Sequence, residues 1–277
     1  MSLNNQPLTV LVTGGTSGVG RQTAKDLARR GVHVVLVSRD RQCGLKTAAT
    51  FGHSNVEVLV ADLTSQDSVN QLIETCHNHF DHLDGLVNAA GGVSPHLVKT
   101  ADGLDQNLAL NYTASYQLTT GLLDLLIAAP QGRVITVAAL PAIIRLAPVM
   151  LPTLTPRTPY KASRVLSETL SARILATLWF ADRFSHTNVT FNLFHPGSVP
   201  ESHFGDTTSP VTRIMGRLLA KLSAKNTEIG ARLMIAPQIN RVSGVLFEEH
   251  MRQITLPKKY SASNVAKVMY ITHQLLD

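Results

Sequence analysis

Leu8-Thr-Val-Leu-Val-Thr-Gly-Gly-Thr-Ser-Gly-Val-Gly20 is the stretch from which the rest of this chain is read. An apolar, β-rich run (Val10, Leu11, Val12) breaks into a turn holding Gly14, Gly15, Gly18 and Gly20. A helix-like pattern (Thr23, Ala24, Leu27, Ala28) follows at once. Only residues without Cβ let the backbone turn this sharply and approach a pyrophosphate, whose charge then sits at the positive end of the new helix. Strand, glycine turn and helix together predict an anion site. Many βα connections carry glycines for steric reasons alone, so the neighbouring segments have to decide.

Those neighbours alternate. Val32 to Val37 reads as a buried strand, 41–50 as a short helix and Val56 to Val60 as a third strand. Ser65 opens an amphipathic helix, Leu83 to Asn88 is a fourth strand, and helical patterns fill roughly 103–128. Arg133 to Ala138 is a fifth strand, 160–181 a long helix and Val189 to Phe194 a sixth strand. Alternation of this kind predicts an α/β, Rossmann-type, doubly wound parallel sheet in three layers, as one domain over 1–277. The proline-rich piece 141–159 reads as a long loop within that domain, because the alternation resumes after it.

Composition excludes several classes. With 44% hydrophobic and 16% charged residues the chain is an ordinary globular protein. Two cysteines, Cys43 and Cys76, are too few for a disulfide framework or a metal site. His77 and His79 point to different sides of a helix and His195 follows a strand, so no metal is assigned. No basic-then-apolar leader and no long apolar span is visible, which predicts a cytoplasmic protein without a membrane span. The formal charge of +6 is diffuse; it favours an anionic ligand, not nucleic acid.

Ser38 and Arg39 stand at the end of the second strand, where an acidic residue would bind a ribose 2′-hydroxyl and a basic one a 2′-phosphate. They predict NADP(H) in preference to NAD(H). Asp62 after strand three reads either as a partner of the adenine amino group or as the residue that starts the helix opened by Ser65.

Thr13-Gly-Gly-Thr-Ser-Gly-Val-Gly20, Asp62-Leu63, Asn88-Ala-Ala-Gly91, Asn111, Tyr160-Lys-Ala-Ser-Arg164 and Pro196-Gly197 together resemble the ordered motifs of the short-chain dehydrogenase/reductase family. The match runs over nearly the whole chain. The Ser38-Arg39-Asp40 step and the tail from Val242 to Phe247 resemble its retinol-dehydrogenase-like branch. This resemblance implies a sheet of about seven parallel strands, with Gly244 to Phe247 as the seventh. It implies that Gly14, Thr16, Ser17, Gly18, Val19 and Gly20 hold the pyrophosphate and that Asp62 and Leu63 flank the adenine. Asn88, Ala89, Ala90 and Gly91 would line the adenosine ribose, and Pro196, Gly197 and Val199 would face the nicotinamide.

The chemistry implied is hydride transfer between the nicotinamide and a carbonyl or alcohol, with Tyr160 as general acid or base. A tyrosine whose ordinary pKa is near 10 needs a cation beside it to work at neutral pH. The family supplies a lysine four residues on; this chain has Arg164. Asn111 matches the member that holds a water chain. At the end of strand five, where the family has a serine pair, stand Ala138 and Ala139, so a hydroxyl from Thr153, Thr155 or Thr158 would have to replace the missing donor.

The segments 141–159 and 202–224, with Leu146, Val149, Met150, Leu151, Ile214, Met215 and Leu218, read as lid elements over an apolar carbonyl or alcohol substrate. The resemblance also implies a homodimer or homotetramer formed through helices at 103–128 and 160–181, with Leu170, Ile174, Leu178 and Trp179 at the contact. Two functions remain open: an NADP-dependent oxidoreductase, and a dinucleotide-binding sensor or scaffold that has lost catalysis.

Overall fold

The computed structural model describes residues 7–197 and 228–276; Val199 and the 202–224 segment lie outside them. Its centre is β1 (Thr9–Val12), whose side chains alternate between the two faces of the sheet. Val10 and Val12 pack with Ala24, Leu27 and Ala28 of α1 (Gly18–Arg29). Leu11 packs on the opposite side with Val69 and Leu72 of α3 (Gln66–His79). Both faces are therefore covered, which is why the parallel strands are apolar almost without interruption.

β1 pairs on one side with β2 (His33–Ser38), which pairs with β3 (Val56–Val60). On its other side lies β4 (Gly85–Asn88), followed by β5 (Arg133–Val137), β6 (Thr190–Phe194) and β7 (Leu246–Phe247). All these pairs are parallel. One strand more than the sequence implies closes the sheet: β8 (Gln253–Ile254) runs antiparallel to β7, giving the order 3-2-1-4-5-6-7-8 among the described residues. A tight return after Phe247, with Met251 at φ 64, brings the chain back along the same edge.

The stretch 103–128, expected to be filled by helical patterns, is built of several short segments. It divides into α4 (Gln106–Leu108), a π-helical segment Ala109–Thr113, α5 (Ala114–Gly121) and α6 (Leu123–Ala128). The wide π turn re-aims Asn111. Its side-chain nitrogen donates to the carbonyls of Gly92 (2.7 Å) and Asn107 (2.8 Å). The 141–159 piece, read as a loop, begins with a short helix, α7 (Pro141–Leu146), whose first residue is a proline suited to a helix start. The long helix α8 (Ala162–Arg183) begins two residues later than expected, so Tyr160 and Lys161 precede it. Lys161, in extended geometry (φ −137), is its N-cap.

α2 (Arg41–Ala49) packs beside β2 and β3, and Asp40 caps it by accepting from the Cys43 amide at 2.6 Å. After residue 228 come α9 (Ile229–Ile235) and α10 (Ala262–Leu276). Buried Arg133 ties α9 to the sheet, donating to the carbonyls of Leu233 (2.8 Å) and Ala236 (2.9 Å) and to the side chain of Asn240. No described helix is long and apolar enough to cross a membrane.

The turn before α1 is closed on itself: a Cβ on Gly20 would stand 2.4 Å from the Gly14 carbonyl oxygen. Gly20→Ala should therefore push α1 off the turn and cost about 1–3 kcal/mol, an overpacking penalty. Urea unfolding followed by far-UV circular dichroism checks this, and an unchanged midpoint would contradict the packing described.

Candidate dinucleotide cleft

The strand order reverses between β1 and β4, and a cleft opens there at the carboxyl ends of the strands. The cleft holds about 550 Å³. Gly14, Ser17, Gly18 and Val19 bound it on one side, Ala89 to Gly92 cross its middle, and Ala138 to Leu140, Pro196 and Gly197 form the far end. Thr13 fixes the spacing: its hydroxyl donates to the Val87 carbonyl (3.1 Å) and accepts from the amides of Ala89 (3.1 Å) and Ala90 (3.2 Å).

The glycine turn fits a pyrophosphate. Gly14 lies at φ +64, and a Cβ there would meet the Ala90 Cα at 2.8 Å, so the absent side chain is what lets turn and β4 loop come together. Ser17 is the N-cap of α1 in an extended conformation (φ −151), yet its side chain makes no capping bond, and the first turn carries no acidic residue. The first amides of a twelve-residue helix are thus left for an anion rather than for the protein's own oxygen. Gly20 is buried against the turn, while Thr16 stands beside the residues that bound the cleft.

The adenosine-side residues divide. Arg39 is exposed at the tip of β2, and the Ser38 hydroxyl donates to the Asp40 carbonyl at 2.7 Å. One oxygen of the Asp40 carboxylate is engaged by the α2 cap, where it accepts from the Cys43 amide. Asp62 accepts from the Thr64 amide (2.9 Å) and hydroxyl (2.8 Å) in the turn ahead of α3, which Ser65 caps, and Leu63 is buried in the core. Asn88 is buried as well; its side chain donates to the Thr119 hydroxyl at 3.1 Å, leaving Ala89, Ala90 and Gly91 to line the cleft.

The catalytic pair expected from the sequence is not at the cleft. Tyr160 and Arg164 line a separate, small pocket with Asp105, Arg157 and Glu168. The Tyr160 hydroxyl accepts from the Asn107 side chain at 2.7 Å. Burial, then the Asp105 charge, push its pKa up to about 12, the direction opposite to what a proton-transfer role needs. Because Tyr160 precedes α8, the one-turn spacing that would set Arg164 beside it does not apply. Thr153, offered as a replacement hydroxyl, lines this same outer pocket and donates to the Thr155 carbonyl at 2.8 Å.

The face of α8 that does line the cleft carries Leu166 and Leu170, four residues apart, and Ala139 lines the same cleft. They are spaced as Tyr160 and Arg164 are, and both are aliphatic. Asn111, which does border the cleft, is accompanied by two residues the sequence reading did not select for it, Arg173 and His195. Arg173 donates to the carbonyls of Ala90 (2.8 Å) and Val137 (3.3 Å) and to that of Asn111. His195 is buried at 7% exposure, with its Nε2 3.5 Å from the Glu249 carboxylate; burial lowers its pKa and keeps it neutral. A signal for Arg173 was present, since a charge interrupts the otherwise small or apolar run Ala172 to Ala176.

Comparison with known proteins agrees with this architecture. The family model for short chain dehydrogenases matches residues 8–207. Human retinol dehydrogenase 14 is 28% identical over 291 residues, covering 97% of this chain and 86% of that protein. Human polyprenol dehydrogenase is 30% identical over 249 residues, covering 84% and 74%. Among solved structures, a protein from Mycobacterium paratuberculosis superposes with a TM-score of 0.74 at 23% identity, over 98% of this chain and 96% of that one. A short chain dehydrogenase structure from Shigella flexneri, complexed with NADP, gives 0.64 at 19% identity over 89% and 98%. With the matched motifs spread across one Rossmann-type sheet, the chain belongs to the short-chain dehydrogenase/reductase family, in its retinol-dehydrogenase-like branch.

Proposed function

We propose that this protein is a slow NADP(H)-dependent oxidoreductase acting on an apolar carbonyl or alcohol. The observation that carries this reading is the continuous cleft from the uncapped start of α1 to the apolar end at Ala138 to Leu140, Ile143, Leu166 and Leu170. When bound, the dinucleotide would supply the hydride chemistry. The chain's own residues bind and orient it: the amides of the α1 start take the pyrophosphate, and Arg39 takes the 2′-phosphate through charge-assisted bonds. The aliphatic wall of Leu166, Leu170 and Ile143 excludes water and favours an apolar substrate. Turnover is slow because Ala139, Leu166 and Leu170 offer no proton and no cation at the reacting end. Of the other hydroxyls on the wall, Thr169 is engaged with the Leu166 carbonyl (2.9 Å) and Ser167 with the Ser163 carbonyl (2.9 Å).

The same three aliphatic side chains favour one second reading, a dinucleotide-binding sensor or scaffold without turnover. In either case the protein is taken as one cytoplasmic domain. A homo-oligomer would rest on Leu178 and Trp179, since Leu170 faces the cleft and Ile174 is fully buried within its own chain.

Two measurements test these assignments. Fluorescence titration should show NADPH binding at least about tenfold more tightly than NADH, and Arg39→Ala should remove most of that difference, the size of one or two charge-assisted hydrogen bonds. Equal affinities in the native protein would overturn the cofactor assignment. In NADPH-coupled assays on apolar aldehydes and ketones, the combined Ala139→Ser, Leu166→Tyr, Leu170→Lys variant should raise the native rate by about a hundredfold or more. Tyr160→Phe should leave that native rate unchanged. Loss of turnover in Tyr160→Phe would return proton transfer to Tyr160, whereas a native rate of zero with measurable rate in the combined variant would select the sensor reading.

A further inference from the structure

Arg173 stands on the cleft-facing side of α8, one turn beyond Leu170 and two beyond Leu166. Its guanidinium bonds are all to main-chain carbonyls, those of Ala90, Val137 and Asn111. No carboxylate among the described residues lies within ion-pair distance of it. A guanidinium has five N–H donors, so three carbonyl bonds leave donors over, and a buried cation without a counter-anion is costly unless something else meets it. Its anchors sit after β4, in the π segment and at the end of β5. In the sheet order these lie beyond β4 from the glycine turn, past the pyrophosphate site and toward Ala138 and Gly197.

We propose that Arg173 is the positioning cation for the nicotinamide half of the dinucleotide, donating to its ribose oxygens from one helical turn beyond the aliphatic position 170. This rests on the reading of the cleft as an NADP(H) site. Arg173 brings a charge to the otherwise aliphatic side of α8 at the cleft, and the three carbonyl bonds hold the planar guanidinium in one orientation before the ligand arrives. Burial already lowers the Arg173 pKa to about 10, so a polyanionic ligand brought alongside restores what desolvation removes.

The test compares two ligands in the full chain: NADPH, and adenosine 2′,5′-bisphosphate, which has the phosphorylated adenosine half alone. Arg173→Met should weaken NADPH by about tenfold or more, the loss of one or two charged hydrogen bonds, and leave the bisphosphate within about twofold. Arg173→Lys should fall between, and Leu170→Lys placed in the Arg173→Met background should recover NADPH affinity, which a merely structural arginine would not allow. If Arg173→Met does not fold, Arg173→Lys read with the same two ligands decides. Equal weakening of both ligands, or of neither, overturns the proposal while the cleft reading stands. Failure of the native protein to bind either ligand removes both.

Discussion

The structure depends on how closely a helix can approach the turn that precedes it. α1 is pressed so tightly to the residues before it that Gly20 has no room for a methyl group, and Gly14 no room for one against Ala90. Around that contact Thr13 joins the ends of β1 and β4 through three hydrogen bonds of its hydroxyl and one of its amide. The position of the cleft follows, because the reversal of strand order and the start of α1 meet at the same place. Everything placed further along the sheet edge, from Asn111 to Gly197, is located relative to this join.

Most of the fold was legible in the sequence, and for one reason. Parallel strands buried on both faces are written as short apolar runs, so Val32 to Val37 or Val189 to Phe194 cannot be read as surface segments. The glycine turn was legible because its geometry forbids other residues. What escaped was structure set by tertiary contact instead of local pattern. The π turn within 103–128 accompanies the bond from Asn111 to Gly92, nineteen residues away, which no helical period encodes. The two-residue β8 is held by its pairing to β7 and carries no strand signature of its own.

At the reacting end of the cleft the sequence offered a misleading spacing. Tyr160 and Arg164 stand four apart near the start of a long amphipathic helix, and that pattern fits the expected pair. The helix begins only after Lys161, and Leu166 and Leu170 border the cleft instead. Two leucines on a helix look like core, so nothing in composition marks them as wall residues. Arg173 was the more informative residue: a cation on a buried helix face has to be met somewhere, and here carbonyl groups from three segments orient it while leaving donors over.

The antiparallel β8 has a consequence for how copies of this chain can associate. A parallel sheet that ended on β7 would present a row of open amide and carbonyl groups, an invitation for a neighbouring chain to add its own strand. β8 fills that row, and with only Gln253 and Ile254 in register it presents little more than a single rung of its own. The sheet is in effect capped on this side against growth from chain to chain. Strand addition at this edge is thereby limited to a short rung.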